Sequence, residues 1–459
     1  KMKKINPLKR LDLACFLRSQ LYLAPVLLLF YQQNGLTIAD FVLFQGIFQL
    51  TGILFEIPCG YIADVISKKK VLVLAFVCFF LRAALWLSFS GMYIILLGEL
   101  FNALSRAFLS GVYDSYIYDY LKSENKTKRM LKECGRTNFA MSSGAMFAAV
   151  FSAVLYDRYG TVVLLSLEFV LTLVSIVLLT TLPNPPSARP HARTLKEKFV
   201  EIKDTTVATI KNPNINVYIL YSALLFSTTS LFCWCFQPLL KMSAAPVLMF
   251  SSIYVINHAL RAGFSFHVNR LKKFFGFNRL LVVTTFLCIY SFACMILSFH
   301  FRQPNVAFIC LIFVCIGIGF QLAFAIANIN HIHNYAMEET RATISSVNNM
   351  LQQTLSGISL ICFKFVIEPG SGTAGLSFAS AFSVFGAFYL SLFVLLLYII
   401  FKRSAEHDAE QRQEPPADMH LHTPRFHLTT LHSPQQPCFR PAASHPLAAS
   451  FPPGSIAPQ

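Results

Sequence analysis

Twelve stretches of about 20 mostly apolar residues recur along this chain of 459 residues, and each is long enough to cross a bilayer as a helix. They fall at about 11–33, 39–62, 71–90, 92–118, 137–156, 161–182, 215–240, 247–268, 280–300, 305–334, 343–367 and 375–401. The eighth is interrupted by Asn257, His258, Arg261 and His267, and the fourth is long and carries several charges. Backbone inside hydrocarbon must satisfy its own hydrogen bonds, so the expected fold class is an all-α polytopic membrane protein of twelve transmembrane helices. Composition agrees: 13% of residues are charged, against roughly 25% in a soluble protein. So few charges cannot cover the surface of a soluble chain that is 55% apolar and holds 45 Phe. A soluble globular enzyme, a disordered chain and a nucleic-acid-binding domain are excluded, and the lipid bilayer is the first expected partner.

The net charge of +16 has another explanation in its placement. With the N-terminus set in the cytoplasm, thirty of the 38 Lys and Arg fall on cytoplasmic segments. Three (Arg158, Lys241 and Arg302) fall on the opposite face, and five (Arg18, Arg82, Arg106, Arg261 and Lys364) lie within helices. This is the positive-inside bias of a multi-pass protein of the cell (inner or plasma) membrane with both termini cytoplasmic. Removing the eighth helix would move the later basic loops outside, so it is retained. The first run follows a basic stretch but ends without an Ala-x-Ala-like site, so it reads as a retained helix and not as a cleaved signal. The Cys residues sit mostly in apolar runs and act as small hydrophobes; no disulfide framework is expected.

The chain divides into a six-helix half over 1–182, a connection over 183–214, a second six-helix half over 215–403 and a tail over 404–459. The connection opens with Pro183-Asn184-Pro185-Pro186, which stops a helix. Leu195, Phe199, Ile202 and Val207 then recur at near-helical spacing among Lys and Glu, which predicts an amphipathic helix on the inner membrane face. The tail holds ten Pro and six of the twelve His, and by composition it is disordered. Its His residues lack metal-ligand spacing.

Between the second and third helices stands EIPCGYIADVISKKK, residues 56–70: Gly60, then Asp64, then Lys68, Lys69 and Lys70. SGVYDSYIYDYL (110–121) follows at the inner end of helix 4, and RATISS (341–346) opens helix 11. With the 6 + 6 division, these segments resemble the major facilitator superfamily, in a bacterial branch with an EIPxG opening. The resemblance covers about residues 8–403. It implies two halves that rock around a central cavity lined by helices 1, 4, 7 and 10. It also implies an inner latch made by Gly60, Asp64 and Lys68 to Lys70, with Asp64 facing the start of helix 11 near Thr343. Physically, Gly60 lets helices approach, an Asp is favoured beside a helix N-terminus, and the lysines can pair with Asp114, Asp119 or Glu338. The corresponding second-half loop, HVNRLKKFFGFNR (267–279), lacks the Gly and Asp, so the latch is expected to rest on the first half.

A charge at mid-bilayer costs about 2.5–3.5 kcal/mol on insertion scales, so polar residues within spans need partners or water. Helix 4 carries Glu99, Arg106 and Asp114. Arg106 resembles the family's helix-4 arginine, which assists proton coupling, although Gly111 follows it by five residues where the motif has four. Arg18 on helix 1, His258 and Arg261 on helix 8 and Gln321 on helix 10 complete the expected cavity set. Asn328, Asn348, Asn349, Gln352, Gln353, Trp234 and Gln237 are further polar candidates, and Glu168 and Arg82 are expected to be structural.

No nucleotide-binding or metal-binding motif appears, so the expectation is no cofactor and no metal, with an ion gradient, protons above all, supplying the drive. The expected function is a secondary active transporter, not an enzyme, that moves a small solute by alternating access. Proton-coupled efflux of a drug or metabolite is the direction the resemblance implies, although helix 5 lacks the Gly-Pro-x-x-Gly-Gly element of drug antiporters. The alternatives are an organic-anion transporter, because Arg18, Arg106 and Arg261 outnumber Glu99 and Asp114, or a transport-inactive sensor or assembly protein. A monomer is expected.

Overall fold

The structure, a computed structural model, describes residues 6–110, 112–185, 195–334, 341–368 and 375–413. The expected latch falls partly outside these: the side chains of Asp64, Arg341 and Thr343 and all of Glu338 are not among the described residues. The same holds for the side chains of Leu195, Phe199 and Ile202 and for residues 414–459. Among the described residues, ten helices are long and apolar enough to cross a membrane. Two details reconcile them with twelve crossings. The first crossing is divided into α1 (Pro7–Arg18), a 3-10 turn (Ala24–Val26) and α2 (Leu27–Gln33), so neither helix alone is long enough. The fifth and sixth form one continuous stretch, α7 (Met130–Thr180), turned at Gly160 with φ 71° and ψ −169°, backbone that favours glycine.

The rest of the first half is α3 (Ile38–Val65), α4 (Lys68–Ser88), α5 (Met92–Leu109) and α6 (Val112–Ser123), the last two forming the fourth crossing. A capping box at Thr37 and Asp40 starts α3. The connection holds α8 (Leu195–Lys211), where the apolar spacing placed a helix, and it packs against α14, α9 and α3, whose bounds follow. The second half runs α9 (Pro213–Met242), α10 (Val247–Phe266), α11 (Val268–Phe275), α12 (Phe277–Phe301), α13 (Pro304–Asn334), α14 (Arg341–Ile367) and α15 (Phe378–Gln413). That last helix continues beyond Arg403, where composition began the tail. Both ends of the bundle, α8 and the loop at 66–67 share one face, called here the terminal face. Gly35, Gly91 and Gly160 turn the chain at the other.

Among the described residues, the halves meet most extensively where α3 packs on α14 and α7 on α10. Their closeness has a local cause. A Cβ on Gly46 of α3 would stand 3.0 Å from the carbonyl oxygen of Gly357 on α14 and 2.8 Å from Ile361 Cγ1, so only glycine allows this backbone approach. Gly46 lies eight residues into α3, in the part nearer the opposite face. Phe41 meets Trp234 of α9 edge-on in the same layer, at 6.1 Å between centroids.

The break in the first crossing would be expensive in hydrocarbon if its backbone groups were left unpaired. Side chains from other helices satisfy them. Glu168 Oε1 on α7 accepts the Leu23 N–H at 2.8 Å, and its other oxygen pairs with Arg82 of α4 at 2.8 Å. Gln237 on α9 accepts the Leu28 N–H at 2.8 Å and donates to the Ala24 carbonyl at 2.9 Å. Ser152 donates to the Tyr22 carbonyl at 2.7 Å. The chain therefore departs from the single continuous helix expected at 11–33, and Pro25 within that run is the residue that cannot donate.

Candidate functional site

Arg106 lies fourteen residues into α5, about 21 Å along the helix, which puts it near the middle of the bundle. Room for it comes from Gly52 on α3, where a Cβ would sit 2.6 Å from Arg106 Nη2. Its guanidinium stacks over Phe48 at 4.2 Å and donates to Gln49 Oε1 at 2.8 Å and Gln353 Oε1 at 2.9 Å. Gln49, itself buried, donates onward to Ser230 of α9 and Ser356 of α14, both at 3.3 Å. Side chains from α3 and α5 of the first half thus meet α9 and α14 of the second through one guanidinium. Among the described residues no carboxylate lies within ion-pair distance of it.

A cavity of about 190 Å³ opens beside Arg106. Glu56, one turn beyond Gly52, lines it with Ser110, Asn349, Gln352 and Phe226. The cavity therefore offers one cation, one carboxylate, neutral amides and an aromatic wall. Such a set can ion-pair and hydrogen-bond with polar groups of a small solute. Its volume is below the roughly 300–1,000 Å³ that drug-sized ligands occupy.

The other expected site residues lie elsewhere. Arg18 packs where α1, α4 and α5 meet, over Phe79 at 4.2 Å and donating to Ser105 at 3.1 Å. Glu99 is buried and accepts from Tyr31 at 2.5 Å and Asn102 at 3.1 Å. Asp114 is exposed in the first turn of α6, beside Cys134. His258 lies against Tyr254 at 4.6 Å, with Arg261 one turn on. Gln321 accepts from Thr229 inside the second half. Lys68 donates to the Ala63 carbonyl at 2.6 Å and Lys69 to the Thr180 carbonyl at 2.7 Å, both within the first half, while Lys70 is exposed. Gly60 lies within α3, near its end. Of the expected cavity set, Arg106 lines this cavity, together with Asn349, Gln352 and Gln353 from the further polar candidates. Sequence reasoning missed Gln49, Gly52 and Phe48. The available signal was a polar and small stripe on the second run, Gln45, Gln49, Gly52 and Glu56, at the spacing of one helix face.

A twelve-crossing helical bundle with a polar cavity at the junction of its halves is the architecture of a membrane transporter. The family model for the Major Facilitator Superfamily matches residues 13–360, and the chain belongs to that superfamily. Among solved structures, the nucleoside transporter NupG superposes with a TM-score of 0.71 at 14% identity, covering 86% of this chain and 99% of that one. A POT family transporter in complex with 5-aminolevulinic acid gives 0.65 at 12% identity, over 85% and 95%. A bacterial homolog of the human lysosomal transporter Spinster, inward-facing and unoccupied, gives 0.61 at 16% identity, over 90% and 98%. These likenesses establish the fold. A transporter of Buchnera aphidicola, BU466, is 26% identical over 84 residues; the match spans 18% of this chain and about a fifth of that relative.

Proposed function

We propose that this member of the superfamily is a proton-coupled secondary transporter of a small polar metabolite bearing an anionic group. Arg106 would hold the anion and Glu56 would carry the proton. The observation that supports this reading is a mid-bundle guanidinium held by neutral amides, with no carboxylate within ion-pair distance among the described residues. An anion forms stronger, charge-assisted hydrogen bonds to guanidinium than an amide oxygen does. Its arrival therefore frees Gln49 and Gln353, and with them the bridge to Ser230 and Ser356. That differential contact biases the two halves toward the state open at the opposite face. Arg106 and Glu56 together leave the cavity neutral, and charge inside a membrane is costly. An anion is then best accompanied by a proton on Glu56. Closure of the terminal face would follow through Gly60, Asp64 and Lys68 to Lys70, with both termini cytoplasmic in the cell membrane and the protein acting as a monomer.

A second reading is efflux of a cationic drug or metabolite in exchange for a proton. The Glu56 carboxylate and the Phe226 wall favour it. Reconstitution in proteoliposomes with a pH-sensitive dye separates the two. Proton movement with organic anions supports the first, and proton movement only with cationic dyes supports the second. Absence of both proton flux and counterflow with either class would overturn transport at this site.

A further inference from the structure

The terminal face carries a second cavity, far from Arg106 in the chain. A groove of about 720 Å³ runs between α11, the start of α12 and α15. Its walls are Phe274, Phe275, Val282, Val283 and Phe401, with Asn278 and Arg279 at its polar end. The short helix α11 explains the shape. Val268, Leu271 and Phe275 turn into the core, with Phe275 6.1 Å from Phe320. Arg270, Lys272, Lys273 and Phe274 are left exposed, and Phe274 is 80% accessible. Lys402 and Arg403 follow Phe401 on α15 and are exposed as well; Arg403 donates to Asn216 at 3.2 Å.

Among the described side chains around this groove, the charge has one sign. None of its lining residues is acidic, and the sequence contains no Asp or Glu between Asp204 and Glu338. Orientation alone accounts for cations at this end of the helices. It does not account for an arginine in the wall of a groove with an aliphatic and aromatic floor, where further exposed cations adjoin the lining residues in sequence. A soluble anion would have no use for that floor, and a neutral lipid would have none for the cations. An amphiphile with a phosphate at one end and a hydrocarbon chain at the other meets both.

We propose that this groove binds an anionic phospholipid. Its phosphate lies against Arg279 and the α11 lysines, and an acyl chain lies along Val282, Val283 and Phe401. The test is native mass spectrometry of the full chain in detergent, titrated with phosphatidylglycerol, phosphatidylcholine or inorganic phosphate. Wild type should retain phosphatidylglycerol over phosphatidylcholine by at least roughly tenfold, as expected for several basic side chains near one headgroup. Inorganic phosphate should not displace it. Val282→Trp, at a half-exposed position, fills the groove without touching a charge and should remove the preference. The combined Arg279→Gln, Lys272→Gln and Lys273→Gln change should do the same. Equal retention of the two lipids by wild type, displacement by phosphate, or a preference that survives Val282→Trp would overturn the proposal.

Discussion

Arg106 holds the halves together by donating to two amides, and its removal leaves Gln49 and Gln353 without their donor. Each hydrogen bond to a charged group contributes about 1.5–3 kcal/mol. Arg106→Ala should therefore reduce both uphill uptake and counterflow by at least tenfold, with normal insertion. Arg106→Lys should keep part of the activity, because one ammonium replaces the charge but not the planar fork that reaches both oxygens. Measuring both transport modes in one membrane preparation checks this; near-normal uptake by Arg106→Ala contradicts it. Glu99 makes a different case. Tyr31 and Asn102 donate to it, and no cation lies within ion-pair distance among the described residues. Glu99→Gln keeps an acceptor for Tyr31 and should leave the unfolding midpoint close to wild type. Glu99→Leu removes the acceptor of the buried Tyr31 hydroxyl and should cost about 1–3 kcal/mol, seen as a lower midpoint in thermal unfolding.

At the scale of helices, α3 and α14 cross at Gly46 and Gly357, close enough that a Cβ on either would meet the other helix. Gly46→Val places branched carbon against the Gly357 carbonyl and should disfavour the closed form by about 1–3 kcal/mol, the usual cost of overpacking. Spin labels at Thr37 and Ser377 should then report a longer distance by double electron–electron resonance than in the wild-type background; an unchanged distribution would count against the crossing as the gate. The helices themselves were legible from apolar run length, because hydrocarbon leaves a chain few alternatives. The helix α8 was legible for a similar reason: its apolar spacing and the prolines before it are local signals. The break in the first crossing was not legible. Its partners, Glu168, Gln237 and Ser152, come from three distant segments, and no local pattern announces a side chain that caps another helix's backbone. Arg106 could be read from the fourth run alone, whereas Gln49 and Gly52 acquire meaning only once α3 lies beside α5.

For the molecule as a whole, the two halves are chemically unequal. Glu56, Glu99 and Glu168 lie within helices of the first half, while the second half has no acid between Asp204 and Glu338. Among the described residues Glu56 of the first half is the acid that lines the cavity, and the proposed proton coupling rests on it. Glu56→Gln should abolish uphill transport and flatten its pH dependence while counterflow persists, because exchange at equilibrium needs no net proton movement. Rates recorded across pH in both modes decide this, and a retained pH-dependent uphill rate would contradict it. The Gln237 clamp joins these unequal halves by another route, since it bonds to the backbone at Ala24 and Leu28 and to neither side chain. Its hold is therefore blind to which residues occupy those positions. Side chains at Ala24 and Leu28 can change while the joint goes on working, as long as residue 28 keeps its N–H and an amide remains at the position of Gln237.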